Sequence, residues 1–253
     1  DIERTEKYWT ENEILHAEDL RIRNDRNLEI VSDLDITIRE GELVGIAGVS
    51  GNGQTELAES VAGVRSIANG SIILNGTDLT NSSTKQFVKH GVSYIPADRH
   101  KDGVAPNRSV MKNLIMKDYE EFGEGIVLNA KQVRSHAEKL GEEFDIVVPN
   151  VDVDVQKLSG GNLQKLILAR ELSREPNLIV ANQPTRGLDV AAIEFVREQL
   201  LEQLEYGCGI LMISEDLDEL LEVSDRIMVM YEGEIVHETK PEEAQRNVIG
   251  RAM

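Results

Sequence analysis

The stretch that decides the fold is Leu158-Ser159-Gly160-Gly161-Asn162, followed by an amphipathic segment and then by Leu178-Ile179-Val180-Ala181-Asn182-Gln183-Pro184-Thr185-Arg186-Gly187-Leu188-Asp189. A Ser-Gly-Gly turn that opens a helix presents free backbone N–H groups and a hydroxyl at the positive end of the helix dipole, which suits an anion. The apolar run 178–181 is typical of a buried strand. The sequence therefore predicts an anion-binding turn followed by a buried strand.

A glycine-rich stretch lies upstream of this pair. The apolar run Leu43–Ala47 leads into Gly48-Val49-Ser50-Gly51-Asn52-Gly53-Gln54-Thr55, and helical spacing follows to Val64. Glycines at this spacing let backbone N–H groups point inward around a phosphate, although such a loop by itself also fits a plain tight turn. The candidate phosphate-binding residues are Gly48, Ser50, Gly51, Asn52, Gly53, Gln54 and Thr55.

Two positions of this loop bear on its chemistry. Thr55 stands where a hydroxyl binds Mg²⁺ in a phosphate loop, and Gln54 stands where the consensus has Lys. A charge-assisted hydrogen bond is worth roughly 1.5–3 kcal/mol, so the loss of Lys costs on the order of ten- to hundredfold in phosphate affinity.

The remaining sequence predicts an α/β protein. Residues 14–47 alternate apolar and polar positions, as half-buried strands do, whereas strands and helices alternate in the second half, which favours a parallel sheet covered on both faces. Ser109 is a good N-cap and predicts a helical region to about Phe144. Further predicted elements are strands at 72–74, 92–95, 178–181 and 210–213, helices at 55–64, 160–173, 190–206 and 217–223, and a hairpin at 226–238.

Composition limits the classes of partner. The 253 residues carry 46 acidic and 27 basic side chains, a net charge of −19, which argues against a nucleic-acid partner because phosphates need a basic face. The acidity fits either an ordinary soluble surface or a salt-loving source, since 16 Arg outnumber 11 Lys. No apolar run reaches the ~18 residues that span a bilayer. Without an initiator Met or a signal peptide, we expect an excised piece of a longer, cytosolic polypeptide.

In this order, the phosphate loop, the Ser-Gly-Gly turn and the buried strand resemble the ATP-binding-cassette (ABC) ATPases. The resemblance implies a P-loop NTPase-type nucleotide-binding domain over residues 14–250, preceded by an acidic linker at residues 1–13. It implies a parallel core sheet, an N-terminal antiparallel β subdomain and an inserted helical subdomain at about residues 101–165. It also implies ATP and Mg²⁺ as cofactors.

Six departures from the family pattern converge on one site. At the end of the buried strand the family has an Asp that orders Mg²⁺ and a Glu that acts as general base. It also has a switch His after a later strand, a Gln after the Tyr-Ile-Pro stretch, and an aromatic residue that stacks on adenine. This sequence has no aromatic residue around Arg21–Asn27. The substituted positions are Gln54, Ala97, Asn182, Gln183 and Glu215. A neutral amide cannot accept a proton from water, so we expect no hydrolysis in cis, weak or absent nucleotide binding there, and Thr55 as a weak Mg²⁺ candidate.

The other half of the family's ATP site is intact. ABC domains pair head to tail, and each ATP lies between one domain's phosphate loop and the other's signature turn. The resemblance implies that Ser159, Gly160 and Gly161 close over the γ-phosphate of a nucleotide held by a partner, and that Asp189 belongs to the D-loop that crosses the interface. The chain is thus predicted to contribute a signature turn to a partner's ATP site, while its own phosphate loop lacks the residues needed for catalysis.

The match can be narrowed by three motifs: Gly-Asn-Gly-Gln in the loop, Pro96–His100, and Gln183–Asp189. Together with Ser214-Glu215 they look like the second cassette of the tandem ATPases of nucleoside and simple-sugar importers. That resemblance implies a companion cassette on the same polypeptide, membrane permease subunits, and a cytoplasmic position at the inner face of the membrane. Arg99 and His100 either replace the missing Lys or serve the linker between subdomains.

Three rival functions make different demands on the sequence. An active homodimeric ABC ATPase needs another base and another cation, and only Glu215, Asp98 and Arg99 are at hand. A soluble ABC protein of the ribosome or DNA would have a basic face or a long coiled-coil insertion, and the sequence has neither. A purely structural cassette would not need the Ser-Gly-Gly turn. The transported solute is not specified by the sequence.

Overall fold

The computed structural model describes residues 9–124 and 127–252. These residues form strands and α-helices joined by short loops and brief 3₁₀ turns. In chain order the elements are β1 (Glu13–Arg23), β2 (Glu29–Arg39), β3 (Leu43–Ala47), α1 (Gln54–Val61), β4 (Asn69–Leu74), β5 (Thr77–Asp78), α2 (Thr84–Lys89), β6 (Val92–Ile95), α3 (Val110–Leu114), β7 (Gly123–Glu124), β8 (Val127–Leu128), α4 (Ala130–Glu143), α5 (Gly160–Leu172), β9 (Leu178–Asn182), α6 (Val190–Glu205), β10 (Gly209–Ser214), α7 (Leu217–Val223), β11 (Arg226–Tyr231), β12 (Glu234–Thr239) and α8 (Arg246–Ala252).

The chain divides into two compact units. The first contains the residues up to Tyr94, Pro176–Pro184 and those from Arg197 onward; the second contains Ile95–Glu175 and Thr185–Val196. The predicted linker falls mostly outside the described residues, because the structure describes nothing before Trp9. The helical-subdomain boundaries at residues 101–165 stay a prediction.

Two sheets build the first unit. An antiparallel sheet has the order β2-β1-β4-β5, and a six-stranded sheet has the order β12-β11-β3-β10-β9-β6. Strands β3, β9, β10 and β11 run parallel where they pair, and β12 adds an antiparallel edge. The predicted α/β architecture, with an N-terminal antiparallel portion and parallel core strands, is confirmed.

The core of the first unit follows from the two sequence patterns. Strand β2 alternates, with Val31, Leu34, Ile36 and Ile38 inward, so that it buries one face. Strands β3, β9 and β10 are buried along their whole length, as parallel strands covered on both faces must be. Side chains from both sheets and from α1 form one hydrophobic cluster.

The second unit is largely helical. Helices α3, α4 and α5 pack on one another, with Leu114, Leu140 and Ile167 among the buried side chains. The predicted helical region from Ser109 to about Phe144 contains α3 and α4 but is not α-helical in the described residues between them. A 3₁₀ turn and the short strands β7 and β8 separate α3 from α4, and Asn129 begins α4 by accepting hydrogen bonds from the N–H groups of Lys131 and Gln132.

Across residues 9–124 and 127–252, no helix is both long enough and apolar enough to cross a bilayer.

Candidate functional site

The phosphate loop joins β3 to α1 at the carboxyl edge of the six-stranded sheet. Gly53 is the N-cap of α1 and has a φ of 101°, a conformation that favours glycine. A Cβ at Gly53 would lie 2.9 Å from Val31 Cγ2 and 3.1 Å from the Ile30 carbonyl oxygen. The loop therefore needs glycine here for backbone conformation and for space, whether or not it binds an anion.

The side chain of Gln54 folds back into this loop. It is 6% exposed; its Nε2 donates to the Val49 carbonyl at 2.9 Å, and its Oε1 accepts from the Asn52 N–H at 3.1 Å. A Cβ at Gly48 would lie 2.5 Å from that Nε2. One backbone N–H of the loop is thus bound by the loop's own amide, and no positive charge stands at this position.

Glu215 lies beside the loop. Strand β10 pairs in parallel with β3 with Ser214 opposite Ala47, so Glu215 follows β10 at the edge where the loop follows β3. Its carboxylate accepts a hydrogen bond from the Ser50 hydroxyl. A carboxylate at this point repels a phosphate by Coulomb interaction.

Asn182 and Gln183 end the neighbouring strand. Asn182 pairs with Ile213, is 1% exposed, and has no hydrogen-bond partner for its Nδ2. Gln183 has a φ of 52° and donates its N–H to the Ile213 carbonyl at 2.8 Å. The parallel strands therefore bring the loop, Glu215 and both amides to one edge of the sheet.

This edge fits Mg²⁺ and the phosphates of ATP poorly. Magnesium prefers carboxylate oxygens, but the strand end offers amides, and the buried Asn182 Nδ2 is a donor. The Thr55 hydroxyl is exposed at the start of α1. Over the described part of the chain, no three His, Cys, Asp or Glu side chains cluster as a metal site. Among the described residues at this edge, the Thr55 hydroxyl is therefore the one oxygen of the predicted Mg²⁺ set that remains as the sequence pattern requires.

The signature turn begins α5 in the second unit. Ser159 is the N-cap, and its Oγ accepts from the Asn162 N–H at 3.3 Å and from Asn162 Nδ2 at 3.2 Å. Asn162 Oδ1 in turn accepts from the Val147 N–H at 2.9 Å. The Ser159 side chain is exposed while its backbone is fixed, and the first N–H groups of a 13-residue helix follow it.

Asp189 and its turn lie in the same unit. Asp189 Oδ1 accepts from the Ala192 N–H at 3.0 Å and so caps α6. A Cβ at Gly161 would lie 3.5 Å from Ala192 Cβ, which puts the starts of α5 and α6 side by side. The structure thus brings together the signature and D-loop residues singled out in the sequence.

Ala97 and Arg99 also belong to the second unit. Ala97 is half-buried and has no polar side-chain group. Arg99 Nη1 and Nη2 donate to the carbonyls of Arg186 and Gly187 at 2.9 and 3.2 Å. Burial lowers the pKa of Arg99, and the nearby Asp98 offsets part of that effect. Arg99 therefore serves the D-loop turn, in line with a structural role.

Sequence reasoning missed three sets of contacts. The Gln54 side chain bonds within its own loop, Arg99 bonds to acceptors 87 and 88 residues away, and Asn52 joins the loop to the β11–β12 turn. In the last contact, the Gly233 N–H donates to the Asn52 carbonyl at 3.1 Å. The Glu232-Gly233 turn was visible as a hairpin signal, but nothing in the sequence named its partner.

Three comparisons with known proteins bear on this site. The sequence model of a family described as ABC transporter matches residues 31–186. The chain is 53% identical to the glucose import ATP-binding protein TsgD13 of Haloferax volcanii over 95% of its own length and 44% of that protein. It is 39% identical to the guanosine import ATP-binding protein NupO of Bacillus subtilis over 95% of its own length and 48% of that protein. The chain thus spans about half the length of these relatives.

A solved structure agrees with the fold. A nucleotide-free ATP-binding cassette from an ABC transporter superposes with a TM-score of 0.78 over 94% of this chain and 95% of that one. The sequence identity is 23%, so this likeness concerns the fold alone.

Proposed function

Since the chain belongs to the ABC transporter family, we propose that it is the nucleotide-binding domain of an importer for simple sugars or nucleosides. The relatives support this substrate class, because one is named for glucose import and the other for guanosine import. The solute itself is recognised elsewhere in such an importer, so the domain's task is to use ATP binding to move a membrane partner.

One observation carries the finer proposal, the contrast between the two half-sites. The phosphate loop is occupied by the Gln54 amide, whereas the Ser159 hydroxyl is exposed at the start of α5. We infer that the domain is degenerate in its own ATP site and supplies its signature in trans to a catalytic partner cassette.

The proposed loss of catalysis in cis rests on three kinds of group. Gln54 brings no cation to the phosphates, and the Glu215 carboxylate beside Ser50 disfavours them. Asn182 offers Mg²⁺ no carboxylate. Gln183 cannot take a proton from the attacking water, so the general base of the family is missing.

The proposed work in trans uses groups that are held in place before the nucleotide arrives. The Ser159 hydroxyl, the N–H groups of Gly160 and Gly161, and the α5 dipole stabilise the γ-phosphate of an ATP bound by the partner cassette. Donors fixed in advance need no reorganisation when the negative charge arrives. Asp189 lies beside this turn and completes the surface that faces the partner.

The proposed partners are a companion cassette on the same polypeptide and membrane permease subunits. Because the chain covers less than half of each compared relative, a second cassette of similar size fits the remaining length. Through the permease, the domain would act at the cytoplasmic face of the membrane.

The alternative is an active homodimeric ABC ATPase with unconventional residues. The location of Glu215 beside the loop favours it as the substitute base. It still lacks a cation, because Arg99 is bound to the Arg186 and Gly187 carbonyls.

Binding and hydrolysis of Mg-ATP by the purified domain alone separate the two proposals. For the degenerate site we expect millimolar or weaker binding by calorimetry and no release of phosphate. A tight Mg²⁺-dependent complex, or steady hydrolysis abolished by Glu215→Gln, would support the homodimeric ATPase instead.

A further inference from the structure

Arg99 lies between two backbone turns of the second unit. Its guanidinium donates to the carbonyls of Arg186 and Gly187, and Nη2 and Nε also lie near Gly160, the first residue of α5. A Cβ at Gly160 would lie 3.6 Å from Arg99 Nη2, and one at Gly187 would lie 3.4 Å from the same atom. These are van der Waals distances, so the guanidinium lies against both turns.

A short local turn aims Arg99 at this position. The Asp98 carboxylate accepts from the N–H groups of His100 and Lys101 at 3.1 and 3.0 Å, and the Asp98 carbonyl accepts from the Asp102 N–H at 2.9 Å. These bonds fix the backbone on the carboxyl side of Arg99. The orientation of its side chain is therefore set before any partner binds.

Charge does not explain this arrangement. Among the described residues Arg99 forms no ion pair within 4 Å, and its Nε is buried without a hydrogen-bond partner. A cation beside the start of a helix is also opposed by the helix dipole. What the guanidinium supplies is geometry, because its planar fork presents two parallel N–H donors to two successive carbonyls.

We propose that Arg99 is a positioning residue that joins the Arg186–Asp189 turn to the first turn of α5, so that both are presented to the partner nucleotide as one surface. This rests on the proposed function in trans. Without the fork, the two turns move independently, and the donors of the signature no longer meet the γ-phosphate together. Arg99 acts through these turns and makes no contact with the nucleotide itself.

The test measures ATP hydrolysis by the companion cassette in the intact transporter ATPase. Arg99→Met keeps the aliphatic stem and removes both donors, and we expect kcat to fall roughly tenfold. The KM for ATP should stay within about twofold, because the nucleotide is held by the companion's own loop. Lys101→Met, an exposed loss of the same charge two residues away, is the matched control and should keep wild-type kcat.

Arg99→Lys distinguishes positioning from direct charge. One ammonium cannot reproduce the planar fork, so we expect a loss of kcat close to that of Arg99→Met. Full activity of Arg99→Lys would overturn the proposal, as would a wild-type kcat in Arg99→Met.

Hydrogen exchange in the same intact ATPase keeps the inference testable if hydrolysis fails for another reason. We expect Arg99→Met to raise deuterium uptake at residues 186–189 and 160–162 together, with other segments unchanged. Unchanged uptake at both segments would overturn the inference. If the wild-type domain has no effect on the companion cassette, the proposed function fails, and the exchange result still decides whether Arg99 joins the turns.

Discussion

At the scale of single residues, the loop at residues 48–55 combines the glycines of a phosphate loop with an amide, Gln54, that hydrogen-bonds within the loop itself. Gly53 has the conformation and the crowded surroundings that only glycine satisfies. The Oε1 of Gln54 accepts a hydrogen bond from the Asn52 N–H, which is one of the loop's N–H groups. The Gln54 amide therefore uses a backbone N–H of the loop and adds no positive charge, and Glu215 and Asn182 lie at the same edge of the sheet.

Gln54→Lys should recover part of the lost affinity. It replaces the amide with a cation, and we expect Mg-ATP binding by the domain to tighten on the order of ten- to hundredfold. Hydrolysis should remain absent, because Gln183 still offers no base. Calorimetric titration of the domain measures the gain.

Gln54→Met is the control for this change, because it removes the amide without adding charge. We expect a smaller gain from it than from Gln54→Lys. Equal affinities in the wild type and Gln54→Lys would mean that the loop is closed by something other than this side chain.

At the scale of elements, a buried ionic cluster ties α5 to the segment after α3. Glu171 is completely buried; its Oε2 lies 2.5 Å from Lys117 Nζ and its Oε1 lies 2.9 Å from Arg170 Nε. Burial alone would raise the pKa of Glu171, but attraction to Lys117 and Arg170 and their hydrogen bonds outweigh it and lower that pKa. The carboxylate of Glu171 therefore holds α5 against the segment that follows α3.

Glu171→Ala should destabilise the protein strongly. It leaves the buried Arg170 and the half-buried Lys117 without their counter-charge, which costs about 3–5 kcal/mol of unfolding free energy. Urea denaturation at neutral pH measures the loss. Glu138→Ala, which breaks an exposed pair with Arg134, is the control and should cost less than about 1 kcal/mol.

The lowered pKa of Glu171 determines how its contribution to stability changes with pH. The pKa of Glu171 is lowered in the folded state, so its stabilisation is complete above its unfolded pKa of about 4.3 and is lost as pH falls through the lower folded value. The difference between wild type and Glu171→Ala should therefore shrink only in acid below about pH 4. A difference that is small at pH 7 would contradict the assigned role.

The elements show how far the sequence could be followed. Strand periodicity and glycine spacing are local, so β3, α1, α5 and β9 were predictable within a few residues. The interruption between α3 and α4 was not predicted. Asn129 is the N-cap of α4, but an Asn can be recognised as an N-cap only when the start of the helix that follows it is known. Long-range contacts, such as that of Arg99 with Gly187, depend on the completed fold, and no local sequence pattern near either residue predicts them.

At the scale of the whole molecule, the two half-sites belong to different units of the chain. The phosphate loop, Asn182, Gln183 and Glu215 lie in the first unit, and Ser159, Gly160, Gly161 and Asp189 lie in the second. Of the five substituted positions, all except Ala97 therefore lie outside the unit that contains the signature turn. This separation is what the proposed function requires, because a domain that contributes its signature turn to a partner's ATP must keep that turn when its own phosphate loop changes.

The central claim is tested most directly by ATP hydrolysis of the companion cassette, assembled with this domain as wild type and as Ser159→Arg. An arginine at the N-cap removes the hydroxyl and fills the space of the γ-phosphate, so we predict that hydrolysis depends on the wild-type domain and collapses with Ser159→Arg. Ser173→Arg, at the exposed opposite end of α5, is the matched control and should keep full activity. Hydrolysis that persists with Ser159→Arg, or that this domain performs alone, would contradict the account.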